Sequence, residues 1–157
     1  MNKKERAEGI QSKIFVKLFN EKYGTDYRIN LPEEEYSIVD RRAISYSGKY
    51  PELKIQLKEI MELDRSDFTK SIFGENIEVF DTNIFKLLNP AIKKIEKKYG
   101  SSAKDIILVL NIGVSEDWLR DWITNNPIGN TNFKGIYCLC LPSNICLDGF
   151  IFPLKEI

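Results

Sequence analysis

Histidine is absent from this sequence. That one absence removes Ser-His and Cys-His nucleophile pairs, imidazole general bases and histidine-based zinc sites together. Any catalysis has to run on carboxylates, lysines, hydroxyls or a metal held by oxygen ligands. Cysteine is scarce: three residues, an odd number placed close together, fit a reducing compartment better than a disulfide scaffold. No glycine-rich phosphate loop appears, which sets aside the usual nucleotide-binding enzymes. No stretch approaches the roughly eighteen apolar residues of a membrane span, and the opening MNKKERAEGIQSK holds no apolar signal region. The expectation is a cytoplasmic protein with no membrane partner. Net charge is missing too, since 23 basic residues balance 23 acidic ones. Without a whole-molecule positive field, a nucleic-acid surface has to be a local patch.

What is present describes an ordinary globule. A chain of 157 residues, 43% hydrophobic and 29% charged, buries a core without staples and is expected to form a single domain over 1–157. Residues 3–22 read as an amphipathic helix, with Ala7, Ile10, Ile14, Phe15, Leu18 and Phe19 at helical spacing and Gly24 as a stop. Glu5 and Glu8 lie in its first turns. There they either favour the positive end of the helix dipole from solvent, or, for Glu8 beside the apolar stripe, face a cleft.

Asp26 to Leu31 reads as a short strand closed by Pro32. Residues 62–80 lack a clear period and read as a loop with at most one short strand. Asp81 or Thr82 then caps a helix whose stripe runs from Ile84 through Leu88, Ile92 and Ile95 to Tyr99, kinked or restarted at Pro90. Lys93, Lys94, Lys97 and Lys98 crowd its far end, either as a solvated face suited to the negative helix terminus or as a phosphate-contacting patch. Asp105 to Ile112 is nearly all apolar, as a strand buried on both faces should be. Ser115 caps a helix that turns Trp118, Leu119, Trp122 and Ile123 inward, and strands at Phe133–Leu141 and Phe150–Leu154 close the chain around a turn at Asp148-Gly149. The alternation predicts an α/β fold, a mixed sheet flanked by helices.

The thiols form one cluster. Cys138 and Cys140 share a strand face, with Cys146 and Asp148 close by in sequence. Structural zinc sites use paired CxxC knuckles or histidine, so buried thiols packing as small hydrophobes are the expectation.

The chemistry-bearing stretch is Tyr36 to Met61. Glu52 to Lys58 alternates with period two, putting Glu52, Lys54, Gln56 and Lys58 on one face and Leu53, Ile55 and Leu57 on the other. A hairpin centred near Gly48 brings Asp40 opposite residues 56–58. An acid, an amide and an ammonium then converge on neighbouring strands.

Asp40, Gln56 and Lys58, with Glu8 upstream, resemble the PD-(D/E)xK nuclease superfamily, in its variant with Gln at the acidic position. The resemblance covers Lys3 to Ile112. It implies a restriction-endonuclease-like core, α-β-β-β-α-β, here followed by an extra C-terminal helix and two strands. It also implies that Asp40, the Gln56 side chain, the Leu57 carbonyl and Glu8 hold Mg²⁺ or Mn²⁺, and that Lys58 orients or activates the attacking water. The activity implied is Mg²⁺-dependent DNA endonuclease of restriction, repair or junction-resolving type, with DNA as partner and a homodimer as a possible state. Asp40 follows Val39 where the family motif has proline, and Glu52-Leu53-Lys54 is a second placement of the acid-x-Lys element. The alternative function is a catalytically inactive nuclease-like binding or scaffold protein, favoured by the zero net charge and by Gln56 itself.

Overall fold

The computed structural model describes residues 3–30, 41–59, 88–142 and 147–157. The fold is α/β. Among the described residues six strands form one mixed sheet in the order β1 to β6: β1 Tyr27–Asn30, β2 Arg41–Ser45, β3 Leu53–Glu59, β4 Ile106–Asn111, β5 Gly135–Cys140 and β6 Phe150–Lys155. Among the described residues three α-helices flank it: α1 Lys3–Tyr23, α2 Leu88–Tyr99 and α3 Glu116–Asn125, with a 3-10 turn at Gly100–Asp105. β1, β2 and β3 are antiparallel neighbours. β4 then runs parallel to β3, β5 parallel to β4, and β6 returns antiparallel.

The two faces of the sheet are sorted by strand alternation. Leu53, Ile55 and Leu57 pack with Ile107, Val109 and Tyr137 beneath Phe15, Val16 and Phe19 of α1. Ile106, Leu108, Leu110, Ile136 and Cys138 face the other way, against Leu88, Ile92 and Ile95 of α2 and Leu119 of α3. β5 is buried at every position, as a strand between parallel and antiparallel neighbours with helices on both faces should be.

The ends of the elements have local causes. Gly24 takes φ 65° after α1, its N–H returning to the Asn20 carbonyl at 2.8 Å. The Asn20 side chain then clamps β1, donating to the Tyr27 carbonyl at 2.9 Å and accepting from the Tyr27 N–H at 2.9 Å. Ser115 caps α3 by accepting the Trp118 N–H at 3.3 Å. Trp118 and Trp122 stack with 9° between their rings and pack half-buried against the α2–α3 core.

Several boundaries differ from the sequence expectation. Phe133 does not open β5 but fills the core fully buried, because the Lys134 N–H is taken by the Ala103 and Ile106 carbonyls before the ladder begins. Lys155 helps hold that approach, its ammonium donating to the Thr131 carbonyl at 2.9 Å and the Phe133 carbonyl at 2.6 Å. Asp105 belongs to the 3-10 turn rather than to β4. The expected start of α2 at 81–87, the loop at 62–80, Leu31 of the first strand and the opening of the central hairpin through Asp40 lie outside the described residues, as does Cys146. Cys138 and Cys140 are buried free thiols, and burial pushes the Cys138 thiol far up from its ordinary range.

Candidate functional site

The turn between β2 and β3 sets the register on which the site depends. Asp26 organises it. Its carboxylate accepts from the Ser45 hydroxyl at 2.6 Å and from the Ser47 N–H at 2.7 Å, bonds that hold its pKa below the usual carboxylate value. Gly48 supplies the φ of 76° that the reversal needs. The resulting pairs are Arg41 with Ile55, Arg42 with Lys54 and Ala43 with Leu53, an offset that agrees with the hairpin read from the sequence. Asp40 itself lies outside the described residues.

A cleft opens where the first turns of α1 cross the end of β3. Its volume is about 260 Å³, and Lys3, Ala7, Glu8, Gln11, Leu57, Lys58 and Glu59 line it. Glu8 and Lys58, fifty residues apart in the chain by their numbers, therefore border one space. Leu57 borders it as well. Gln56 does not: it is only 4% exposed, one step further into β3, facing away from α1. Glu52 stands at the opposite end of β3 and pairs with Arg42 at 3.5 Å. Of the two acid-x-Lys placements, the one ending in Lys58 is the one beside Glu8.

Three residues around this cleft escaped the sequence reading. Gln11 is 7% exposed, and its amide reaches the Glu59 carboxylate at 3.4 Å, tying α1 to the end of β3. Arg41 is likewise buried, with its Nη2 against α1 at Gly9, where an added Cβ would sit 3.6 Å away. The signals were faint but present. Gln11 follows Glu8 at i+3, on the same helix face. Arg41 and Glu59 each adjoin a residue already singled out. Ser12, fully buried, satisfies its hydroxyl within α1 by donating to the Gly9 carbonyl at 2.9 Å.

Glu8, Glu59, Gln11 and Leu57 border the cleft, so carboxylate, amide and backbone oxygens belong to the residues around it. These are hard oxygen donors, the type that suits Mg²⁺ or Mn²⁺ and not zinc. Among the described residues no group of three or more Asp, Glu, Cys or His side chains comes together. Lys58 borders the same cleft, and the Arg41 guanidinium lies against α1 at Gly9. Among the described residues no helix is long and apolar enough to cross a membrane. Comparison with family models, with curated proteins and with solved structures finds no match.

Proposed function

We propose that the chain is a Mg²⁺-dependent DNA endonuclease, acting in restriction, repair or junction resolution, with its centre at the cleft between α1 and β3. The observation that carries the reading is that Glu8 and Lys58 border one cleft, on a chain whose described elements run helix, three antiparallel strands, helix and parallel strand. That order is the one the resemblance to PD-(D/E)xK nucleases implies.

Phosphodiester hydrolysis needs negative charge neutralised on the phosphate and a water made nucleophilic. A divalent cation supplies both when oxygen ligands hold it. Glu8 and the Leu57 carbonyl are suited to that holding role, with Asp40 as the expected acid. Lys58 is suited to orienting the water, since its ammonium donates hydrogen bonds to an oxygen. Histidine is not required anywhere in this scheme.

The test is incubation of the pure protein with supercoiled, linear and branched DNA in Mg²⁺ or Mn²⁺. Cleavage is expected, with Lys58→Ala and Asp40→Asn each lowering the rate by a factor on the order of 10² or more. Uncut substrates, or a Lys58→Ala variant as active as the parent, would end the proposal.

The burial of Gln56 favours a second reading, a nuclease-like protein that binds without cutting. A neutral amide withdrawn from the cleft brings no charge to a cation. Calorimetric titration with Mn²⁺ separates the two, because saturable binding that is lost in Glu8→Gln and Asp40→Asn contradicts the non-catalytic reading.

A further inference from the structure

The face of β1–β3 turned away from α1 carries charge of mostly one sign. Alternation puts Arg28 of β1, Arg42 and Ile44 of β2, and Lys54 of β3 on it, and the register sets Arg28 opposite Ile44 and Arg42 opposite Lys54. The cations form a diagonal band across three adjacent strands. The band ends at Lys54, because Gln56, the next residue of β3 on the same face, is buried.

On a chain with no net charge this is a local concentration. The carboxylates beside it among the described residues are both engaged, Glu52 paired with Arg42 at 3.5 Å and Asp26 accepting from Ser45 and Ser47. The band also has apolar and aromatic surface. Tyr46 is 72% exposed and Ile44 46%, and the Arg28 guanidinium lies 3.9 Å from the Tyr46 ring centre, held by the ring's negative face. The Asp26 turn that fixes Ser45 and Ser47 fixes Tyr46 between them, its N–H bonded to the Asp26 carbonyl at 3.1 Å. Cations spaced to follow a backbone, beside a rigid exposed ring, are the two components of single-strand recognition: phosphate neutralisation and base stacking.

We propose that this face binds a single-stranded segment of nucleic acid, its phosphates along Arg28, Arg42 and Lys54 and an unpaired base on Tyr46. The proposal rests on the nuclease reading and deepens it, because it names the substrate as one with unpaired nucleotides next to the cut. Binding itself needs neither metal nor cleavage.

The experiment follows fluorescence anisotropy of a labelled single-stranded oligonucleotide in EDTA, from 50 to 200 mM salt. At about 0.7 counterions per phosphate contact, three contacts make the parent lose roughly 20-fold more affinity over that range than Arg28→Ala/Arg42→Ala/Lys54→Ala does. Arg28→Lys/Arg42→Lys/Lys54→Arg, which keeps the charge, is expected to keep the salt slope. Tyr46→Ala is expected to weaken binding about 5-fold or more, and Tyr46→Phe to preserve it. Four results overturn the proposal: an unchanged slope in the triple alanine variant, an equal loss in Lys93→Ala/Lys97→Ala on α2, tighter binding to a matched duplex, or binding of a poly-glutamate peptide as tight as the oligonucleotide. Cleavage assayed on the same variants separates the two claims. Cutting with unaltered binding in the triple alanine variant sinks the band alone, and salt-dependent binding without any cutting sinks the nuclease reading alone.

Discussion

Alkaline titration tests how α1 is fastened to the sheet. Tyr23, at the end of α1, shares a 2.9 Å hydrogen bond with the buried Tyr137 hydroxyl of β5 and donates to the Glu156 carboxylate at 2.9 Å. Burial first, then these two partners, raises the Tyr23 pKa well above the ordinary tyrosine value. Burial raises Tyr137 as well, and it raises Tyr27, whose hydroxyl donates to the Pro51 carbonyl at 2.6 Å. In the unfolded chain all three ionise near pH 10. Above that pH the unfolded state holds fewer protons than the folded one, so stability present below pH 10 is lost as pH rises. Each tyrosine still protonated in the fold contributes at most about 1.4 kcal/mol per pH unit to the decline, and three give a ceiling of about 4. Solvent at the half-exposed Tyr23 ring brings the realised slope below that ceiling.

Tyr23→Phe is therefore expected to lose about 1 kcal/mol at pH 8, the net worth of a hydrogen bond, and to decline less steeply than the parent above pH 10. Urea unfolding at pH 8, 10, 10.5 and 11 reads both quantities. The two stability curves should converge as the pH rises. Parallel curves would refute the network, since they would mean that Tyr23 ionises as readily in the fold as in the unfolded chain.

Two further outcomes follow from the same coordinates. Gly149 has φ 72° and an added Cβ would meet the Cys140 carbonyl at 2.8 Å, whereas Gly24 has φ 65° with open space around it. Gly24→Ala should thus cost only backbone strain, about 1 kcal/mol, and Gly149→Ala about 1–3 kcal/mol beyond that, with equal losses in denaturant titration counting against the packing described. Cys138 and Cys140 should resist a thiol-reactive probe until the protein unfolds, because both are buried and the Cys138 thiol is held protonated; peptide mapping that finds either one labelled in native buffer would contradict this.

Much of the architecture was readable before any coordinates, because its signals are local. The Phe15–Phe19 stripe, the Ser115 cap, the apolar run of β4 and the alternation of β3 each follow from what neighbouring residues need. Together they gave an α/β chain with a mixed sheet in the right element order. The offset of the β2–β3 ladder agrees with a hairpin centred near Gly48, one of the two registers the sequence left open.

Tertiary structure decided everything that depends on residues far apart in the chain. That α1 crosses the end of β3 where Glu8 and Lys58 border one cleft, and not the turn where Glu52 pairs with Arg42, comes from the packing of Phe15, Val16 and Phe19 onto Leu53, Ile55 and Leu57. That Gln56 is withdrawn while Glu59 and Gln11 reach the cleft is likewise a matter of which face is covered. The same sorting left Arg28, Arg42 and Lys54 together on open sheet. A strand's period says which side chains share a face. Only the packing of the other elements says whether that face meets oil, a cleft or water.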